Sequence, residues 1–301
     1  MTLQQLKYVI TVAETGTITE AANRLYVSQP SLTNAIHELE KEMNIVIFNR
    51  TNKGITLSKE GDDFLGYARQ VLEQAAILED KYKGNPGGKK QFCVSTQHYS
   101  FAVNAFVDVV QTYDAAKYDF ILRETQTGEI IDDVANGKSE LGVIYLSEHN
   151  EEVLTKLIKK NGLIFEELFT AEPHVFISNV HPLAVKAKIQ LEDLKAYPYL
   201  TYEQGERNSF YYAEEFLSML DMPKNIQVRD RATMFNLIIG LNGFTVCSGV
   251  ISEELNGSQI IARPLDMDVQ MRIGLVKKKN ILFSRYADTY IEALKKYVSI
   301  D

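Results

Sequence analysis

Two helix-start signals set close together near the N-terminus constrain this chain more than any other feature. Thr17-Ile18-Thr19-Glu20 places a hydroxyl and a carboxylate where each can take up the other's free backbone N–H, so a helix begins near Ile18. Ser28-Gln29-Pro30 is a second start, because Ser28 is a good N-cap and Pro30 falls in the first turn, where a missing N–H costs little. The helix between them is therefore short and buries Ala21, Ala22 and Leu25. The next buries Leu32, Ala35, Ile36, Leu39 and Met43, and turns Pro30, Thr33, Asn34, His37 and Lys41 outward. An earlier helix over residues 3–13 has Leu3, Leu6, Val9, Ile10 and Ala13 on one face and stops at Gly16.

Two short helices joined by a tight turn, the second offering polar groups at its start, fit the major groove of DNA as a helix-turn-helix does. Gln29 and Asn34 can each make paired hydrogen bonds to adenine, and Thr33 can meet a thymine methyl or a phosphate. A solvated face on a helical bundle carries the same stripe, so spacing alone leaves both readings open. The residues that follow favour DNA. Ile45-Val46-Ile47-Phe48 and Ile55-Thr56-Leu57 are strand-like runs around the turn-rich Asn49-Arg50-Thr51-Asn52-Lys53-Gly54. That hairpin is a wing, with Arg50 and Lys53 placed for phosphates or a minor groove.

Ser58 starts another helix, predicted over 59–83, with Phe64, Ala68, Val71, Ala75, Leu78 and Tyr82 at alternating spacings of four and three. Such a narrow seam asks for a partner helix, either in a second copy of the chain or in its own C-terminal half. Residues 84–90, centred on Gly84-Asn85-Pro86-Gly87-Gly88, read as a flexible linker.

A chain of 301 residues exceeds what one core usually organises. Its net charge of −8 gives no general hint of nucleic acid, but the charge is uneven. Residues 1–90 carry 11 basic and 11 acidic side chains, and residues 91–301 carry 21 and 29, so any DNA contact comes from a local surface. No apolar run approaches the ~18 residues of a membrane span, and the opening MTLQQLKYVITVAETG lacks a basic region before a cleavage site. A cytoplasmic protein without membrane contact is expected. Cys93 and Cys247 lie in apolar strand-like runs without metal-ligand spacing and are read as buried structural thiols. No metal or cofactor is expected.

Residues 91–301 alternate strands and helices, which predicts a parallel sheet with helices on its faces. A second set of elements starts near Phe165 and includes helices over 208–220 and 232–241. After Pro264 the chain returns through Arg272–Val276 to a closing helix over 284–298. Two lobes result: lobe I over 91–163 and 268–301, and lobe II over 164–267. Ligands of open α/β sheets sit where strands end and helices begin. Those places hold Thr96, Gln97, Tyr99, Ser100, Thr127, Tyr145, Thr201, Tyr202 and Ser248, a hydroxyl- and amide-rich set expected to take a small anionic metabolite such as a carboxylate. His98 reads as a structural histidine.

The stretch TGTITEAANRLYVSQPSLTNAIHELEKEMNIVIFNRTNKGITLSKEGDDFLGYA resembles the LysR-type transcriptional regulators in its alanine pair, its V-S-Q-P-S-L and H-E-L-E-K-E-M runs, its F-N-R-T wing and its L-S-x-E-G helix opening. It departs from many members at Asn34, where they carry arginine or another long polar residue. The resemblance implies a winged helix-turn-helix over 1–58, a dimerising helix over 59–83, and a two-lobed α/β effector domain of periplasmic-binding-protein type over 91–301. It places Gln29, Pro30, Thr33 and Asn34 at the bases, with Ser28, Ser31, His37, Arg50 and Lys53 nearer the backbone and Thr17 and Thr19 beside them. It further implies homodimers paired into tetramers, double-stranded operator DNA and RNA polymerase as partners, and an effector that alters DNA bending. An enzyme is disfavoured, because no G-x-S-x-G, H-E-x-x-H, phosphate-binding loop or dinucleotide-binding glycine pattern occurs. A solute-binding transport component would need export, and a thiol switch would need two cysteines that can meet, whereas Cys93 and Cys247 are read as lying in different lobes.

Overall fold

A computed structural model describes residues 1–51, 54–83, 90–113, 118–207, 209–251, 257–279 and 281–296. It forms two compact units, a head of residues 1–88 and a larger unit that takes the remainder except 136–138.

In the head, α1 (Leu3–Thr15), α2 (Ile18–Leu25) and α3 (Gln29–Met43) precede a hairpin of β1 (Phe48–Thr51) and β2 (Gly54–Leu57) and the long α4 (Lys59–Lys83). The caps follow from the sequence. Thr17 accepts the Glu20 N–H and Ser28 the Ser31 N–H, although a return bond from the Glu20 carboxylate is absent among the described residues. The complete capping box lies at α1, between Thr2 and Gln5. Gly16, Tyr26 and Asn44 end the three helices in left-handed conformation. Leu32, Ile36 and Leu39 of α3 meet Val9 and Val12 of α1 in the core, each large side chain contributing roughly 1.5–3 kcal/mol of burial.

The wing differs from its prediction. Ile45–Ile47 lie outside the strand, because the Glu40 carboxylate accepts the N–H groups of Ile47 at 2.7 Å and Phe48 at 3.1 Å. Pairing begins at Phe48, opposite Leu57, and Arg50 stands in β1 opposite Ile55 rather than at the tip. Lys53 and the linker over 84–89 lie outside the described residues. The Gly of the L-S-x-E-G run has a physical reason, since a Cβ on Gly61 would sit 2.0 Å from the Ile47 carbonyl oxygen.

The larger unit holds a five-stranded sheet in the order β4-β3-β5-β12-β6. The strands β3 (Lys90–Thr96), β4 (Tyr118–Glu124) and β5 (Leu141–Leu146) are parallel, whereas β12 (Met271–Lys278) runs antiparallel to both β5 and β6 (Leu163–Ala171). The sheet is therefore mixed, not parallel throughout. The helices α5 (Ser100–Thr112) and α10 (Arg285–Lys296) share one hydrophobic core with it. A second core draws on α6 (Thr127–Ala135) and α7 (Glu151–Lys160). Because β6 pairs along its whole length with β12, lobe I extends to Ala171, and residues 164–171 do not belong to lobe II as expected.

Lobe II is built on β7 (His174–Ser178), flanked antiparallel by β10 (Thr245–Cys247) and β11 (Ile260–Pro264). Beside them β8 (Tyr199–Tyr202) and β9 (Asn225–Val228) pair in parallel, with α8 (Leu191–Leu194) and α9 (Arg231–Leu241). The predicted helix over 208–220 does not form; short 3-10 turns at Gly205–Arg207 and Phe216–Met219 flank an irregular stretch. Its cause is tertiary. Glu214 and Glu215 are both buried and accept backbone N–H groups of distant segments, His98 and Tyr202, contacts that no local pattern encodes.

Candidate functional site

The head presents polar groups at the start of α3. Ser28 and Ser31 are tied to each other, Oγ to Oγ at 2.7 Å, and to the first turn. That local closure leaves Gln29, Pro30 and Asn34 exposed, with Thr33 half-buried and His37 exposed beside Glu40. Thr17 and Thr19 are exposed at the start of α2. Gly54 of the wing lies against Gly16 and Thr17, and the Ile55 N–H donates to the Gly16 oxygen at 3.1 Å. Two helix starts, each a local concentration of N–H donors, are thus joined to a hairpin on one small unit, an arrangement suited to phosphate and base contact. Tyr26, left-handed and 96% exposed in the turn before α3, escaped the sequence reading. Only the break of the helical pattern at Tyr26-Val27-Ser28 pointed to it.

Along α4 the predicted seam divides. Phe64 and Leu65 pack into the head's own core and Ala68 is buried, whereas Val71 and Leu78 are exposed. The side chain of Tyr82 lies outside the described residues.

Between the lobes of the larger unit, His98, Tyr99 and Ser100 from lobe I meet Tyr202, Glu214, Glu215, Arg231 and Cys247 from lobe II around a narrow cleft. Polar contacts join the two lobes. His98 Nδ1 lies 2.9 Å from Glu214 Oε2, its backbone N–H donates to the same oxygen, and its ring stacks on Tyr202 at 3.8 Å. The Thr127 N–H donates to Gln204 Oε1 at 3.1 Å, Arg207 reaches the Gly128 oxygen and Asp132, and Arg231 pairs with Glu124. Burial and the neighbouring Glu214 push the Glu215 carboxyl well above the usual carboxylate range. Burial also lifts the Cys247 thiol to about 11, so it stays protonated at neutral pH.

Of the residues chosen from sequence, Tyr99, Ser100 and Tyr202 line this cleft. Gln97, Thr127 and Tyr145 stand behind them as one bonded group. Gln97 donates to Thr127 Oγ1 at 2.6 Å and accepts from the Tyr99 hydroxyl at 3.0 Å and the Tyr145 N–H at 2.9 Å. Thr96 spends its hydroxyl on the Gln97 carbonyl, and Thr201 lines a separate cavity of lobe II beside Asn225. Ser248 adjoins Cys247 and is absent from the lining. His98 is both structural and pocket-lining. The sequence reading missed Glu214, Glu215 and Arg231, whose surroundings suggested a helix and a helix start. Cys93 and Cys247 are free, half-buried and in different lobes. No cluster of potential metal ligands occurs among the described residues.

Residues 3–62 match the family described as bacterial regulatory helix-turn-helix protein, lysR family, and residues 96–299 match the LysR substrate binding domain. The chain is 28% identical over 291 residues to a probable RuBisCO transcriptional regulator of Thalassiosira pseudonana, covering 94% of this chain and 89% of that one. Among solved structures, a full-length OxyR variant from Pseudomonas aeruginosa aligns with a TM-score of 0.66 at 20% identity, covering 100% of this chain and 95% of the other. Full-length CbnR in complex with its target DNA aligns with a TM-score of 0.57 at 20% identity, covering 99% and 100%. At these identities the two structures establish a shared fold.

Proposed function

Because this chain belongs to the LysR family of bacterial transcriptional regulators, we propose that it reads its operator with α3 and the β1–β2 hairpin, associates through α4, and changes its grip on DNA when a small molecule enters the inter-lobe cleft. It is a DNA-binding regulator and not an enzyme. The observation that carries the residue assignment is the first turn of α3, where the serine hydroxyls close the cap and leave Gln29, Pro30 and Asn34 facing outward. Gln29, Thr33 and Asn34 read base edges. Ser28, Ser31, Thr17, Thr19, His37, Arg50 and Lys53 serve the phosphates.

Self-association rests on Val71 and Leu78, exposed apolar residues of a 25-residue helix, and a dimer or tetramer covers them. A cytoplasmic location agrees with the absence, among the described residues, of a helix long and apolar enough to cross a membrane. RNA polymerase is the partner through which such a regulator acts. The effector site is the cleft itself, with Tyr99, Ser100 and Tyr202 in its wall and Gln97, Thr127 and Tyr145 fixing that wall from behind.

Gel-shift titration on the DNA upstream of the protein's own gene tests the reading. Wild type is expected to bind saturably against competitor DNA, with Gln29→Ala and Thr33→Ala each weakening it. Equal binding by wild type and both variants overturns the base-reading assignment.

A further inference from the structure

The chemistry of the inter-lobe cleft is richer than the hydroxyls that first drew attention to it. Three of its lining residues carry buried polar atoms without a hydrogen-bond partner among the described residues: Glu215 Oε2, Arg231 Nε and Thr245 Oγ1. An unpaired buried polar group is costly to leave dry, so three around one cavity call for an occupant that satisfies them.

Their demands are opposite. Arg231 is a donor only and needs an acceptor oxygen, whereas Glu214 and Glu215 are adjacent carboxyl groups whose burial and crowding keep the Glu215 proton on, and a cationic donor between them lets that proton leave and is held by the resulting charge. The two sides do not neutralise each other, since Glu214 is engaged by His98 and Arg231 by Glu124. A purely anionic ligand reaching Arg231 would lie against two carboxyl groups. A purely cationic one would leave the guanidinium Nε dry. Part of the wall is apolar, formed by residues that include Phe235 and Val250.

We propose that this cleft takes a small zwitterion of the α-amino acid type, its ammonium group held by Glu214 and Glu215, its carboxylate by Arg231 Nε and the Thr245 hydroxyl, and its side chain against Phe235 and Val250. The inference rests on the reading of the cleft as the effector site. It refines the anionic metabolite expected from sequence, because the carboxylate remains and an amine is added. Arg231 starts α9, and Glu214 and Glu215 end the irregular stretch before the Phe216 turn, so one ligand draws together two segments of lobe II.

The test uses the full-length protein in thermal-shift and calorimetric titrations with the common amino acids at millimolar concentration. Each is compared with its deaminated acid and its decarboxylated amine. At least one small amino acid is expected to bind ten-fold or more tightly than both counterparts. In Glu215→Gln, which keeps the shape and an acceptor for the Tyr202 N–H, that preference over the deaminated acid is expected to fall at least ten-fold. Equal or tighter binding of the deaminated acids, or no binding by any amino acid, overturns the zwitterion assignment.

DNase footprinting in parallel, with a dialysable low-molecular-weight cell extract, separates this failure from that of the effector reading. An extract that shifts the footprint of wild type but not of the cleft-filling Val250→Trp leaves the cleft as effector site with a ligand of another class. An extract that shifts both alike removes the effector site and the zwitterion together.

Discussion

The head and the inter-lobe cleft use polar side chains in opposite ways. In the head the groups proposed to read bases, at the start of α3, lie within a few residues of one another, are exposed or half-buried, and are oriented by bonds that span three residues. In the cleft the groups proposed to hold a ligand come from segments more than a hundred residues apart, are buried, and are held by long-range contacts such as His98 to Glu214. The difference follows from the ligand. A DNA duplex is a large polyanion that meets a surface and needs no enclosure, so exposed groups on a small unit suffice. A small molecule must be surrounded, and only convergent chain segments can surround it.

The sharpest way to break this contrast is Gly61→Ala, because the new Cβ would lie 2.0 Å from the Ile47 oxygen. About 3 kcal/mol or more of head stability should be lost, read by calorimetry as an early transition of the head while the larger unit melts as before. If the whole chain unfolds in one lowered transition, the two regions are not energetically separate. Next comes Gln97→Ala, which strands the Tyr145 N–H and the Tyr99 and Thr127 hydroxyls. A loss on the order of 3 kcal/mol is expected in the larger unit, with DNA affinity of the folded protein retained.

Gln29→Ala should act the other way round. Its exposed side chain makes no stability contribution to lose, but operator affinity should fall by roughly 1–3 kcal/mol, and discrimination at one base pair should relax with it. An unchanged preference in a systematic base-substitution series would count against base contact by this residue.

The smallest effect is the pH dependence of Glu215. Its carboxyl is raised in the folded protein, so the folded state holds the proton more tightly than the unfolded chain. The stability it contributes is complete below its ordinary value of 4.5 and is lost as pH rises through the folded value. Glu215→Gln should flatten that decline, leaving the variant more heat-stable than wild type at alkaline pH by about a degree or two, measured in melting scans across pH. A variant whose decline parallels wild type would show that Glu215 is ionised in the fold.

Much of the head was legible because its determinants are local. The hydroxyls of Thr17 and Ser28, the proline at 30 and the left-handed Gly16 each act on neighbours, and the periodicity of Leu32, Ile36 and Leu39 sets the buried face. The wing was misplaced by three residues because the partner of the Ile47 and Phe48 N–H groups is Glu40, a residue that reads as an ordinary outward charge. In the larger unit the alternation of strands and helices announced an α/β fold. The antiparallel β12 and the return of β6 to lobe I left no mark in the pattern, since strand direction and partner are settled only when the sheet assembles.

By itself the sequence determined the head's caps and helices, the tandem of small head and α/β unit, and the hydroxyl-rich strand ends that wall the cleft. Tertiary structure decided which of those ends face the cavity, turned an amphipathic stretch around Phe216 away from helix, and brought Glu214, Glu215 and Arg231 together. Caps and periodicity are interactions between near neighbours, for which chain order is spatial order. A cleft of opposed charges is a property of segments that become neighbours only on folding, and its unpaired atoms exist only once water has been excluded around them.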